Sequence, residues 1–341
     1  MEAKLIWFDS FGAKSSCTLV TTPNLKILID PGVAIMHPSF PASWEDKERW
    51  TIEGRNKIIS ALQKADIVIV SHYHWDHFIP DRFDLYYNKT LFIKNPNEYI
   101  NDSQRERAFE FFKGLLGEEL RIRKGRKKKY KDLAEELNSI NLDFGDYNPR
   151  RKELLEKGRK WFEKRAENWS GYEKIKDGKY KRLEIVYPEG KTFKIKGVKL
   201  KFSNPLFHGI EYSRTGWVFW TLIEYKGYKV LHSSDVNGPI IEDYADWIID
   251  ENPDFIILDG PMTYMLGYTL NLINFNRVLQ NVKRIIEECD FEILIWDHHL
   301  PREKRFRERT KEVWELAKKL NKKVLTASEF QLGKKPIVEQ V

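Results

Sequence analysis

Residues 71–77 read Ser-His-Tyr-His-Trp-Asp-His and follow directly on the apolar run Ile67-Val68-Ile69-Val70. Three of the chain's eight histidines and one aspartate, His72, His74, Asp76 and His77, thus fall within six positions. Imidazole and carboxylate are the side chains that hold zinc-like divalent cations at neutral pH. A single buried histidine is more often a packed core residue than a ligand. Four such groups at the end of a buried strand are costly to desolvate unless something compensates them, and a metal does. The chain must therefore fold so that a buried strand delivers this string to a site, and so that other segments complete it.

The pattern around the string is α/β. Leu5–Phe8, Ser16–Thr22 and Lys26–Asp30 read as short strands, with Pro23-Asn24 as a turn. Thr51–Lys64 reads as an amphipathic helix leading into the Ile67–Val70 strand, and Thr90–Lys94 as a further strand. From Asn101 to Arg182 the apolar β runs vanish and helical patterns appear at Ser103–Leu116 and Arg150–Asn168. Here 24 Lys and Arg face 16 Asp and Glu, an excess of eight in a chain whose net charge is +7. Beyond Leu183 the β pattern returns, at Phe193–Ile195, Val198–Phe202, Trp217–Tyr225 and Tyr228–His232, with Gly197 and Gly227 at hairpin turns. Phe255–Leu258 and Glu292–Trp296 read as buried strands that each follow a helix, as in βα units. The layout is one domain over 1–341, two α/β halves with a helical basic insertion at 101–182.

Further candidate ligands stand where apolar runs end: Asp30, His208, Asp235, His298 and His299. Carboxyl ends of strands are where α/β proteins assemble ligand sites, because loops converge there. In this order the residues resemble the metallo-β-lactamase-fold superfamily. The strings Leu-Ile-Asp-Pro-Gly, Ser-His-Tyr-His-Trp-Asp-His and Asp-His-His-Leu-Pro-Arg resemble, more narrowly, an uncharacterised archaeal family of predicted metal-dependent hydrolases.

The resemblance implies a four-layer αββα sandwich and a two-metal centre. His72, His74 and His208 would hold one cation and Asp76, His77 and His298 the other. Asp235 would bridge them together with a hydroxide that attacks an ester or phosphoester. A bridging carboxylate offsets the repulsion of two cations about 3.5–4 Å apart. Zinc is the expected metal, with manganese or iron as alternatives. Di-iron members that reduce oxygen typically carry Glu where this chain has His74, which favours hydrolysis over redox chemistry. Asp76 is expected both to ligate and to orient the nucleophile. Asp30 and His299 are expected to support ligands from behind. His298 is favoured over His299 as the ligand because strand alternation sends the two to opposite sides. His37, Tyr264 and Arg302, in loops after or beside these strands, are the candidates for the substrate side. His232, inside a strand, is expected to be packed.

Composition narrows the rest. Cys17 and Cys289 follow no metal or redox spacing, so no disulfide framework is expected. No apolar stretch approaches the roughly 18 residues that span a bilayer, and the first residues read as a strand rather than a leader, so a cytoplasmic protein without membrane contact is expected. Charged residues reach 32%, dominated by Lys and Glu, a balance typical of heat-adapted proteins. The aromatic content leaves a homo-oligomer open. Eight of the eleven residues Arg121–Lys131 are basic. Together with Tyr130, Trp161, Trp169 and Tyr172 they raise a second reading, a nuclease or nucleic-acid-binding metalloprotein whose insertion holds RNA or DNA. A solvated charged face is the plainer account of the same run.

Overall fold

The computed structural model describes residues 1–341. Two seven-stranded sheets form its centre. The first contains β1 (Glu2–Phe8), β2 (Ser16–Thr22), β3 (Leu25–Ile29), β4 (Ile67–Val70), β5 (Thr90–Ile93), β6 (Gly178–Lys179) and β7 (Glu184–Val186), in the order β1-β2-β3-β4-β5-β7-β6. The second contains β8 (Thr192–Ile195), β9 (Val198–Phe202), β10 (Thr221–Tyr225), β11 (Tyr228–His232), β12 (Phe255–Asp259), β13 (Ile293–Asp297) and β14 (Val324–Leu325), in sequential order.

Each sheet begins as an antiparallel meander and continues with parallel pairs, and the first ends in the antiparallel pair β7–β6. The change comes at β3–β4 in the first sheet and at β11–β12 in the second. Strands buried on both faces must be apolar throughout. Ile67–Val70 and Phe255–Asp259 are buried at every position. The sheets face one another: Phe92 of β5 stacks on Phe202 of β9 with ring centroids 5.2 Å apart, and His232 reaches the Ser16 carbonyl across the gap at 2.9 Å.

Helices cover the outer faces. α1 (Trp44–Lys64) starts well before the sequence reading, because Ser43 caps it by accepting from the Asp46 amide at 3.0 Å. Gly54 lets it lie directly on Trp7, whose ring atoms stand 2.8 Å from where a Cβ would be. α2 (Asp102–Leu116) and α3 (Asn148–Gly171) follow in the basic stretch. α4 (Glu242–Glu251) and α5 (Leu272–Glu288) cover the second sheet. Phe275, Val278, Leu279, Val282, Ile285 and Ile286 of α5 are all buried, the spacing of one apolar face. The architecture is the four-layer αββα sandwich, with 86 buried apolar residues in one core.

Two expectations need correction. Trp217–Tyr225 is not one strand. It breaks at Phe219-Trp220, where Trp217–Val218 turns away to pair with Leu206–Phe207 while β10 stays in the sheet. Residues 101–182 are not free of β structure: Ile122–Arg123 pairs with Lys174–Ile175, and β6 joins the first sheet. Buried Glu211 ties this stretch to the second half, accepting from Arg151 of α3 at 3.0 Å and from Arg277 of α5 at 2.8 Å.

Candidate metal centre

The carboxyl ends of the parallel strands in both sheets carry the polar residues that the sequence singled out. Asp30 follows β3 and His72 to His77 follow β4. Asp235 follows β11, and His298 and His299 follow β13. His208 comes from the short strand Leu206–Phe207.

Asp235 lies at the middle. One carboxylate oxygen stands 3.1 Å from His77 Nε2 and 3.4 Å from both His72 Nε2 and His208 Nε2. The other stands 3.2 Å from His298 Nε2, which is itself 4.0 Å from Asp76. His74 joins through its Nδ1, 3.0 Å from His72 Nε2. Donor atoms of His72, His74, His208 and Asp235 all fall within 4.8 Å of one another, as do those of Asp76, His77 and His298.

Burial makes this arrangement informative. His77 Nε2, His208 Nε2, His298 Nε2 and Asp235 Oδ1 are buried without a hydrogen-bond partner, despite their closeness. Orphaned buried polar atoms are rare and demand an explanation. Ring nitrogens and carboxylate oxygens aimed at common points, rather than at each other, are what a set of divalent-cation ligands requires. The residues therefore fit divalent metal, as the resemblance implied.

Several of the ligand candidates are held from behind. Asp30 has a left-handed backbone, φ +48°, which turns its carboxylate toward the string. It accepts from the Ser71 amide and hydroxyl, both at 2.7 Å, and from His77 Nδ1 at 2.9 Å. Gly32 packs the following loop against the string: a Cβ there would stand 2.2 Å from the Phe78 amide nitrogen and 2.3 Å from that of His77. His298 donates from Nδ1 to Asp9 at 2.9 Å, and His299 from Nδ1 to Asp259 at 2.8 Å. Such contacts set the tautomer and leave Nε2 free to ligate.

The electrostatics follow from the packing. Burial opposes ionisation of Asp235, but the nearby His77, His298 and His72 outweigh it and hold its carboxyl well below the usual range. Burial pulls His72 down to about 4, assisted by the neighbouring His77. Asp259 is pushed up to about 8 by burial and then by the charge of Asp235. Asp297 rises to about 6 from burial and the nearby Asp9.

The alternation argument for His298 and His299 does not apply. Both lie beyond the strand with positive φ, +46° and +20°, and both bring a ring nitrogen within 4.8 Å of a donor atom of Asp235. Of the expected substrate-side residues, Arg302 is buried rather than free in a loop. Its Nε binds Asp9 and its Nη1 donates to the Tyr264 hydroxyl at 3.1 Å, which leaves Nη2 without a partner. His37 is exposed, and its ring contacts are local, to Ser39. His232 is packed as expected, and Cys17 and Cys289 are free and buried.

The aromatic residues of the basic stretch are mostly core. Trp169 is fully buried, Tyr130 is buried against it, and Trp161 stacks on Trp217 at 5.5 Å. The sequence reading missed Asp9, Asp259 and Ser71. All three are polar residues at the end of, or just after, an apolar strand run, the same signal that had picked out Asp30 and Asp235.

The description "Beta-lactamase superfamily domain" belongs to a family model that matches residues 11–138. A UPF0282 protein of Methanopyrus kandleri is 30% identical over 329 residues, covering 92% of this chain and 90% of that one. A UPF0282 protein of Methanocaldococcus jannaschii is 30% identical over 342 residues, covering 97% and 91%. Among solved structures, an isothiocyanate hydrolase from Delia radicum gut bacteria aligns with a TM-score of 0.43 at 10% identity, covering 92% of this chain and 94% of that one. With relatives at that identity across nearly its whole length, the chain belongs to the archaeal UPF0282 family.

Proposed function

We propose that the chain is a metal-dependent hydrolase whose centre takes two divalent cations, zinc or alternatively manganese or iron, and that it cleaves an ester or phosphoester. The observation that carries this reading is the set of buried, unpartnered donor atoms around Asp235. His72, His74 and His208 would hold one cation, Asp76, His77 and His298 the other, with Asp235 between them. Cations bound there would supply Lewis acidity and would lower the pKa of water toward about 7.

The protein's own part is orientation. Asp30 and Asp9 hold the far sides of His77 and His298, so neither ring needs to reorganise when a substrate arrives. Asp76 and His74 are the half-buried members of the set, the ones a substrate meets first, and Asp76 is placed to orient the nucleophile. Trp75 between them is 48% exposed and stacks on Phe78, a flat apolar wall at the mouth.

Elemental analysis of the purified protein should find close to two equivalents of metal, and His74→Ala should lower that figure. The metal-loaded protein should turn over a member of a panel containing bis-p-nitrophenyl phosphate, thioesters, lactones and RNA. Native protein with no metal and no affinity for added zinc, manganese or iron would sink the proposal. So would turnover that survives Asp235→Asn unchanged.

A further inference from the structure

A cavity of about 690 Å³ lies apart from the candidate metal ligands, none of which walls it. It is lined by Arg123, Lys124, Arg126, Lys128, Lys174 and Lys176, with Glu98 and Asp177 the acids present. Lys128 pairs with Glu98 at 2.8 Å. The other five cations have no carboxylate partner.

Lys174 is the informative member. It is buried, yet its ammonium contacts only neutral groups: the Asn97 carbonyl at 2.7 Å, the Tyr130 hydroxyl at 3.2 Å and the Trp169 carbonyl at 2.5 Å. A buried cation without a counter-charge is costly. Burial brings Lys174 down to about 8, with Lys128, Arg105 and Arg123 opposing the pull of Glu98.

The wall is built rather than a loose charged run. Gly125 packs so closely on the end of α3 that a Cβ would stand 2.3 Å from the Ser170 carbonyl oxygen. Ser170 also donates to the Lys128 carbonyl at 3.2 Å. Ile122–Arg123 and Lys174–Ile175 form a two-stranded ladder that holds the two cationic segments together.

Position adds a further argument. Asn95 and Asn97 follow β5, and Tyr187 follows β7, both parallel to β4. The cavity therefore has part of its wall at the same carboxyl edge as the His72–His77 string, on the residues that follow the next two strands of the sheet. Tyr73, between His72 and His74, donates to the carbonyl of Lys94 at 2.5 Å, one residue before Asn95 of the cavity wall.

We propose that this cavity is a binding site for a ligand bearing closely spaced phosphates, either a nucleoside polyphosphate or the backbone of a single strand, seated beside the candidate metal centre. Its volume suits a ligand of that size, and its unpaired guanidinium and ammonium groups suit phosphate oxygens. The inference does not rest on the hydrolase reading, since the binding needs no metal.

The test is binding of ADP and of inorganic triphosphate to the full chain by calorimetry at about 150 mM salt, with metal loaded and again after chelation. Arg123→Ala/Arg126→Ala should weaken binding at least about tenfold, the loss expected from one or more charge-assisted contacts. Lys127→Ala/Lys129→Ala removes the same charge from the same run but from outside the cavity lining, and should change affinity less than about twofold. All four positions are exposed, so both variants should fold as the parent does. A 5′-phosphorylated single-stranded oligonucleotide that displaces ADP assigns the site to a strand; failure to displace it assigns the site to free nucleotides. Absence of binding by the parent protein, or equal losses in the two double variants, would overturn the proposal whatever the enzyme assays show.

Discussion

Asp9 and His298 are 289 positions apart in the chain and 2.9 Å apart in space. Asp9 Oδ1 accepts from His298 Nδ1, while its Oδ2 is bound by Arg302 Nε. One buried carboxylate thus orients a candidate ligand and neutralises a buried guanidinium. Burial opposes its ionisation, but Arg302 and His298 outweigh that and hold it far below the usual range. Asp9→Asn should leave Arg302 uncompensated and cost about 3–5 kcal/mol of stability, read by denaturant unfolding of the metal-free protein. It should also weaken metal binding about 10–100-fold, read by chelator competition. Asp9→Asn/Arg302→Met should recover much of the stability and none of the metal affinity. Joint recovery of both would show that His298 does not depend on Asp9.

His298 and His299 are separated by their partners. His298 Nε2 is buried with no hydrogen-bond partner, 3.2 Å from Asp235 and 4.0 Å from Asp76. His299 is tied through Nδ1 to Asp259. His298→Ala should reduce bound metal from about two equivalents to about one. His299→Ala should keep both and bind them more weakly. Elemental analysis after gel filtration distinguishes the two, and the reverse pattern would reassign the ligand.

Gly32 matters for space rather than for its backbone angle. A methyl group there would collide with the backbone of Asp76, His77 and Phe78. Gly32→Ala should push the string away from Asp235, lowering metal occupancy and costing about 1–3 kcal/mol. Ser39→Ala, in the exposed part of the following loop, should change neither. An unchanged metal content in Gly32→Ala would show that the loop yields instead.

Glu211 sets an acid-side stability limit. Burial works against its ionisation, but Arg277 and Arg151 overcome this and hold its carboxyl below the ordinary value. A depressed folded-state pKa stabilises the fold above the unfolded value of about 4.3 and is lost as pH falls through the folded value. Glu211→Gln should therefore cost about 3–5 kcal/mol at pH 7, where it strands buried Arg151 while Arg277 keeps Glu242, and much less at the acid end. Unfolding curves over that pH range check the slope. A cost independent of pH would assign the effect to packing.

Much of the centre was legible before any coordinates. The His72–His77 string and the polar residues at the ends of apolar runs are local signals, because a strand end is written in a few consecutive residues. Asp9 carries the same signal at the end of β1, but nothing local distinguishes it from any other loop aspartate. The sequence favours His298 over His299 by strand alternation, but the geometry that bears on that choice was not legible. It depends on backbone angles beyond β13 and on whether Asp9 or Asp259 lies behind each ring. The aromatic residues of the basic stretch were misjudged for a related reason. Tyr130, Trp161 and Trp169 look like stacking platforms beside lysines, and only packing shows that they fill a core of their own.

Local order alone determined the α/β class, the buried strands and which residue types could ligate, since apolar periodicity and clustered donors act over a few positions. Tertiary structure alone decided that Asp235 stands within reach of four histidines from three separate segments, and that six cations from two separate segments line one cavity. Those distances arise because two sheets, each with its own parallel run, pack face to face and bring their carboxyl edges together. No pattern within either half of the chain specifies how far apart those edges will lie.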